Sequence, residues 1–307
     1  MTALLQWTTA NPLRAFLAAG VACLFALLAL PMAAWLPAGI VVLGLLASGP
    51  AVAAAAAAGA AIALLWAFAP MFGPVAALAI AVAALAPSAL AALALEKSRS
   101  LSFAFQALTL ACCLLVLAIH GLLGDPVRAL APVIAELEPM LQHTAETLSR
   151  MGIESSPEEL GAATARVAWA TLGWMVLLHA FLAQCAGLWG LSRLREPGLF
   201  GREFRSLKLG RFAAWLLVAA FLGSLAASQF AGEDWQALDD VVFVLAAAFL
   251  VQALAVVHGL RELQVIGIVP VVLAYVAVIL VPMALVGIGF ADTWVRFRER
   301  FAPRQGV

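Results

Sequence analysis

Residues 15–95 read AFLAAG VACLFALLAL PMAAWLPAGI VVLGLLASGP AVAAAAAAGA AIALLWAFAP MFGPVAALAI AVAALAPSAL AALAL, without a single charged side chain. One helical crossing of a bilayer needs about 20 apolar residues, so this run has room for about four. Breakers divide it. Pro31 and Pro37 flank Trp35, Ser48-Gly49-Pro50 is a turn signal, and Pro70-Met71-Phe72-Gly73-Pro74 is another. The spacing predicts spans near 13–31, 34–48, 51–69 and 74–95, the second short enough to be re-entrant. Further uncharged stretches run over 101–124, 167–192, 212–232, 241–260 and 263–291.

The rest of the composition agrees. Of 307 residues, 65% are hydrophobic and 11% charged, with 17 basic and 17 acidic side chains in balance. Mean hydropathy is +1.06. These values exclude a soluble domain and a disordered chain, and a zero net charge gives no field to draw nucleic acid. Backbone groups in lipid must be satisfied within each segment, and no alternating ten-residue pattern of a barrel occurs. The expected fold is an all-α polytopic transmembrane bundle of eight to ten membrane segments. It divides as an N-terminal bundle over 1–192, a basic loop over 193–211, and C-terminal segments with an amphipathic tail over 212–307.

Loop charges set the orientation. Segment 193–211 carries Arg193, Arg195, Arg202, Arg205, Lys208 and Arg211 against Glu196 and Glu203. The positive-inside rule places it in the cytoplasm, with Lys97 and Arg99 on the same side. The acidic loops alternate with these. One is 124–163, and the other holds Glu233, Asp234, Asp239 and Asp240. Counting back puts the N-terminus inside, in a bacterial inner membrane. Arg296, Arg298, Arg300 and Arg304 also favour the inside, which requires the stretch 263–291 to turn back near Pro282. Trp294, Phe297 and Phe301 fall three and four apart, as in an interfacial helix.

Residues 125–163 form the one sizeable loop, expected to be periplasmic and helical. Asp125-Pro126 is a helix start, and Leu130, Val133, Ile134, Leu137, Leu141 and Leu148 give an apolar stripe that Pro139 should kink or end. Ser156-Pro157-Glu158-Glu159 is a capping box. Its helix is expected to run on into the next span. The hairpin reads either as a lid or as a helix lying on bilayer or neighbouring spans.

No phosphate loop, H-E-x-x-H or G-x-S-x-G motif occurs, and Cys23, Cys112, Cys113 and Cys185 make no C-x-x-C. No catalytic residue, metal site or cofactor is therefore expected. No span carries a central Asp, Glu, Lys or Arg, which argues against an ion-driven pump. The remaining mid-span polar groups give a candidate ligand set of Trp174, His179, Gln184 and Gln252. Interhelical hydrogen bonding, worth about 0.6–2 kcal/mol each, accounts for such residues equally well. Ala15, Ala19 and Ala18, Ala22, Ala26 make small-residue faces for close helix approach.

Two stretches carry a family resemblance: Gly201-Arg-Glu-Phe-Arg-Ser-Leu-Lys-Leu-Gly-Arg211, and Gly287-Ile-Gly-Phe-Ala-Asp-Thr-Trp-Val-Arg-Phe-Arg298. As a pair they resemble the YybS-like family of bacterial membrane proteins, itself similar to the substrate-binding S components of energy-coupling-factor transporters. The resemblance implies a small-molecule-binding transport subunit that works with a separate ATPase-bearing module. The alternative is a membrane scaffold docking partners or lipid through Arg202, Glu203, Arg205, Lys208, Arg211, Asp292 and Trp294. On that reading Asp292 would pair with Arg205 or Arg211.

Overall fold

The computed structural model describes residues 1–28, 33–231 and 235–301. Pro31, Glu233, Asp234 and Arg304 lie outside them. The described residues form helices and no strand: α1 (Thr2–Thr9), α2 (Pro12–Leu28), α3 (Trp35–Ser48), α4 (Pro50–Phe72), α5 (Pro74–Ser98), α6 (Leu101–Leu123), α7 (Pro126–Ala129), α8 (Ala131–Glu136), α9 (Glu138–Arg150), α10 (Pro157–Arg166), α11 (Ala168–Leu194), α12 (Leu199–Arg205), α13 (Gly210–Ala226) with a π turn Ala227–Ala231, α14 (Gln236–Glu262), α15 (Ile268–Leu280), α16 (Pro282–Val295) and α17 (Phe297–Arg300). This is an all-α polytopic bundle.

Among the described residues, six helices are long and apolar enough to cross a bilayer: α4, α5, α6, α11, α13 with its continuation to Gln229, and α14. Two pairs, α1 with α2 and α15 with α16, pass together, but each is bent by 119° at its break. At 1.5 Å per residue, α15 and α16 are each about 20 Å long, short of a hydrocarbon core of about 30 Å. The bend at Val281, just before Pro282, turns the chain back where the sequence called for a reversal. The 14-residue α3 is likewise too short to cross, and nine of its residues are buried.

The breakers act as read. Gly49 at φ +92° and Gly73 at φ +82° each end a helix, and Pro50 and Pro74 open the next. Left-handed backbone favours glycine, and proline at the first helical turn costs no hydrogen bond. Pro70 and Pro87, by contrast, sit inside α4 and α5.

By contacts the chain divides into two units. The first comprises 1–109, 176–214 and 248–307, and the second 110–175 and 215–247. In the first unit, Ala15, Ala19, Cys23 and Ala26 form the buried face of α2. It meets Ala53, Ala56, Gly59, Ala60 and Ala63 of α4. A Cβ on Gly59 would lie 2.1 Å from the Phe16 carbonyl oxygen, so only glycine admits this approach. Lipid tails are as apolar as leucine, so such packing, rather than exclusion of water, holds the spans together. The lipid face of α5 keeps Val75, Leu78, Val82 and Leu90 exposed.

In the second unit, Asp125 caps α7 by accepting from the Val127 amide at 2.8 Å. Ser156 and Glu159 close the expected capping box at 3.1 and 3.0 Å. Two expectations are corrected. The stripe helix breaks at Leu137, beside Pro139 as expected, with Pro139 in the first turn of α9 where its missing N–H is harmless, but it also breaks at Leu130, which the stripe did not foretell. The capping-box helix does not run on into the span: α10 stops at Arg166, and α11 starts at Ala168. The tail is also broken. Arg296 takes left-handed backbone at φ +53° and separates Trp294 on α16 from Phe297 on α17.

Candidate functional site: a loop and tail joined at Gln252, Asp292 and Arg298

All contacts of this site lie within the first unit. Between α12 and α13 the residues Ser206-Leu207-Lys208-Leu209 leave the helix, so their backbone groups need partners elsewhere. The ends of neighbouring helices supply them. The Ser102 hydroxyl on α6 donates to the Ser206 carbonyl at 3.3 Å and accepts from the Lys208 amide at 3.1 Å. Gln106 Nε2 donates to the Lys208 carbonyl at 2.7 Å. The Leu209 amide donates to Gln252 Oε1 at 2.7 Å. Leu207 and Leu209 are buried between these bonds. At the loop's other end, Glu203 Oε2 accepts from the Leu101 amide at 2.9 Å, placing a carboxylate at the start of α6, where the helix dipole favours it.

The tail closes on the same loop. Arg298 Nη1 donates to the Arg205 carbonyl at 2.5 Å and the Leu207 carbonyl at 3.0 Å. Its Nη2 donates to Asp292 Oδ2 at 2.6 Å. Asp292 Oδ1 accepts from the Phe297 amide at 3.0 Å, which fixes the turn at Arg296. Gln252 Nε2 donates to the Gly289 carbonyl at 2.8 Å and reaches Asp292 Oδ2 at 3.4 Å. Gln252 is 1% exposed and Asp292 3%. Gly289 makes this geometry possible, since a Cβ there would lie 2.0 Å from the Phe249 carbonyl oxygen.

Around this node lie more exposed pairs. Lys208 Nζ meets Glu299 Oε1 at 2.6 Å, and Arg205 meets Glu262 at 3.3 Å. Arg202 pairs with Glu196. The Lys208 hydrogen bond, with the Lys208 charge, holds the Glu299 carboxyl below its ordinary value, and Arg296 adds to the effect. Phe204 on α12 inserts between Phe181 of α11 and His258 of α14, at centroid distances of 6.5 and 5.6 Å.

The two motif stretches are therefore one structural feature. Glu203, Arg205, Lys208 and Asp292 all enter it. Asp292 pairs with Arg298 of its own tail, however, and not with Arg205 or Arg211. The sharp turn at Arg296 brings Arg298 back over Asp292, and Arg298 reaches the loop through backbone carbonyls. Arg211 is exposed and makes no ion pair among the described residues. Trp294 stacks edge-on against Phe290 at 4.6 Å. Of the candidate ligand set, Gln252 is committed to this node. Among the described residues, Gln184 is fully buried with neither amide atom bonded, and His179 Nε2 is buried without a partner. Trp174 is half-buried and falls in the second unit.

The sequence reading missed Ser102, Glu262 and Glu299. It also missed a pair in the second unit. Asp240, placed by the sequence in an acidic loop, is buried in the first turns of α14, and His120 Nε2 lies 2.8 Å from its Oδ2. Among the described residues, no three His, Cys, Asp or Glu side chains gather in a way that could hold a metal ion.

The arrangement defines a class: a multi-pass helical membrane protein whose basic loop and C-terminal tail are joined by hydrogen bonds and ion pairs. The chain belongs to the family described as predicted membrane protein DUF2232, which matches residues 15–293. No curated protein and no solved structure matches the chain.

Proposed function

We propose that this protein is a non-catalytic subunit of the bacterial inner membrane that docks an acidic partner protein on its cytoplasmic face. The observation that carries the reading is the stapled loop and tail. Asp292, Gln252 and Arg298 are buried to hold a loop in one conformation, a costly arrangement that a mere connection between spans does not need. Around it stand Lys97, Arg99, Arg211, Arg261 and Arg300, all exposed and without an ion pair among the described residues. An acidic surface is their complement. The test is photo-crosslinking in native membranes from a photoreactive residue at Arg211 or Arg261, with Leu122 as the control position. A discrete protein adduct from the first two positions only supports the reading, and lipid adducts alone overturn it.

A second reading is favoured by the unbonded buried atoms of Gln184 and His179. On it the protein is a small-molecule-binding transport subunit, resembling the YybS-like proteins and the S components, whose partner bears the ATPase. Native mass spectrometry before and after delipidation tests it. A stoichiometric small molecule that survives delipidation supports this reading, and a bare mass opposes it.

A further inference from the structure

In the second unit, α7, α8, α9 and α10 enclose a cleft of about 490 Å3. That size suits a small organic molecule, since ligand pockets are typically about 300–1,000 Å3. Val127, Ile134, Leu141 and Ala165 give it apolar walls, and Gly161 and Ala162 keep the α10 side low. The packing around it is close: a Cβ on Gly161 would lie 2.7 Å from Ile134 Cγ2. The polar atoms in the wall come from Glu138, Gln142 and Glu158. Gln142 Nε2 donates to Glu138 Oε1 at 3.2 Å, which orients one carboxylate and leaves its second oxygen open.

Of the nearby cations, Arg166 stands at the opposite end of α10 from Glu158 and makes no ion pair among the described residues, and the other two pair locally. Arg128 pairs with Asp125, and Arg150 with Glu146. Neither Glu138 nor Glu158 has an ion pair among the described residues. The whole segment 125–163 carries Asp125, Glu136, Glu138, Glu146, Glu154, Glu158 and Glu159 against Arg128 and Arg150. Such a field repels anions and concentrates cations. Apolar walls disfavour a bare metal ion, which needs a shell of oxygen or nitrogen ligands. An apolar body with a positive end satisfies both halves of the lining.

We propose that this cleft binds an amphipathic organic cation, its apolar part against Ile134 and Leu141 and its ammonium group at Glu138 and Glu158. The site is separate from the loop and tail, and the proposal does not depend on how they act. It is tested on the full chain in phosphatidylcholine nanodiscs by saturation-transfer NMR, with hexyltrimethylammonium as the probe, hexanol and hexanoate as neutral and anionic comparators, and empty nanodiscs as background. Saturable binding of the cation is expected, with hexanoate silent and hexanol at least tenfold weaker. The double variant Glu138→Gln, Glu158→Gln should weaken the cation at least tenfold, and Ala162→Trp, which fills the cleft, should abolish binding. The Gln pair is conservative at exposed positions, so its result stands even if the Trp variant folds poorly. No saturable signal, equal binding of hexanol, or binding unchanged by the Gln pair overturns the proposal.

Discussion

Removal of the Asp292 carboxylate is the sharpest perturbation of the loop and tail. Its side chain is 1% exposed and that of Arg298 10%, at 2.6 Å. Breaking a buried ion pair from one side leaves a charge without compensation and costs about 3–5 kcal/mol. Asp292→Ala also strips the Phe297 amide of its acceptor, so its cost belongs at the upper end of that range. Arg298→Ala leaves a buried carboxylate and frees the Arg205 and Leu207 carbonyls. The double variant leaves neither charge, so it should cost less than the two singles added, with a coupling of about 2–3 kcal/mol. The assay uses the protein's own thiols. Cys23, Cys112 and Cys113 are buried and Cys185 half-buried, so a thiol-reactive fluorogenic dye reports unfolding in detergent. Each single variant should lower the midpoint by on the order of 6–20 °C, by analogy with soluble chains that lose about 2–4 °C per kcal/mol. Purely additive losses, or a single-variant loss under about 1 kcal/mol, would refute the argument that the pair is buried and coupled.

Other outcomes follow from the same structure. Gln184→Leu replaces a fully buried amide that has no partner, so the midpoint should hold or rise by the equivalent of about 1–3 kcal/mol; a clear fall would mean that the amide holds a bound polar molecule. Gly289→Ala and Gly59→Ala each force a Cβ onto a backbone oxygen and should cost about 1–3 kcal/mol or more. Only Gly289→Ala should also speed trypsin cleavage after Lys208, because it alone displaces the Gln252 acceptor. Glu299 has a lowered pKa in the folded chain, so its contribution to tail docking is present above the ordinary glutamate range and is lost as pH falls through the lower folded value. The protection of the amides over 297–300, relative to their intrinsic exchange at each pH, should fall across that acid window. Glu299→Gln should show the low protection already at neutral pH and flatten the dependence; an unchanged profile would count against the Lys208 contact.

The helices were legible in the sequence because the signals are local. Gly49-Pro50 and Gly73-Pro74 mark helix ends by backbone conformation alone, and so does the Ser156 capping box. The face of α2 was legible only in part: Ala15, Ala19 and Ala26 are buried, with Cys23, while Ala18 and Ala22 of the second small-residue face are half-buried, because small residues recur on every side of so alanine-rich a helix. The break at Val281 falls where Pro282 interrupts the last apolar stretch. The partners inside the site were not legible. The docking reading set Asp292 against an arginine of the basic loop, yet nothing local says that Arg296 turns left-handed and folds Arg298 back over Asp292. The loop's real anchors are backbone groups, which carry no sequence signature. Ser102 and Gln106 become anchors only because Ser206 and Lys208 lie outside any helix, with carbonyls and an amide to satisfy.

The same accounting explains why Gln252 changed role. A glutamine in a span must bond to something, and mid-span position alone does not distinguish a ligand from a neighbouring backbone. Here Gln252 offers its oxygen to Leu209 and its amide to Gly289, so it joins the loop, α14 and α16 through one side chain. Gln184 has no such use, although it is buried just as deeply. Two glutamines with the same sequence context thus divide by their hydrogen bonds. One has its bonding capacity spent on architecture, and only the other has bonds left to give, which makes Gln184→Leu the substitution that separates a packed bundle from one that binds a solute within its spans.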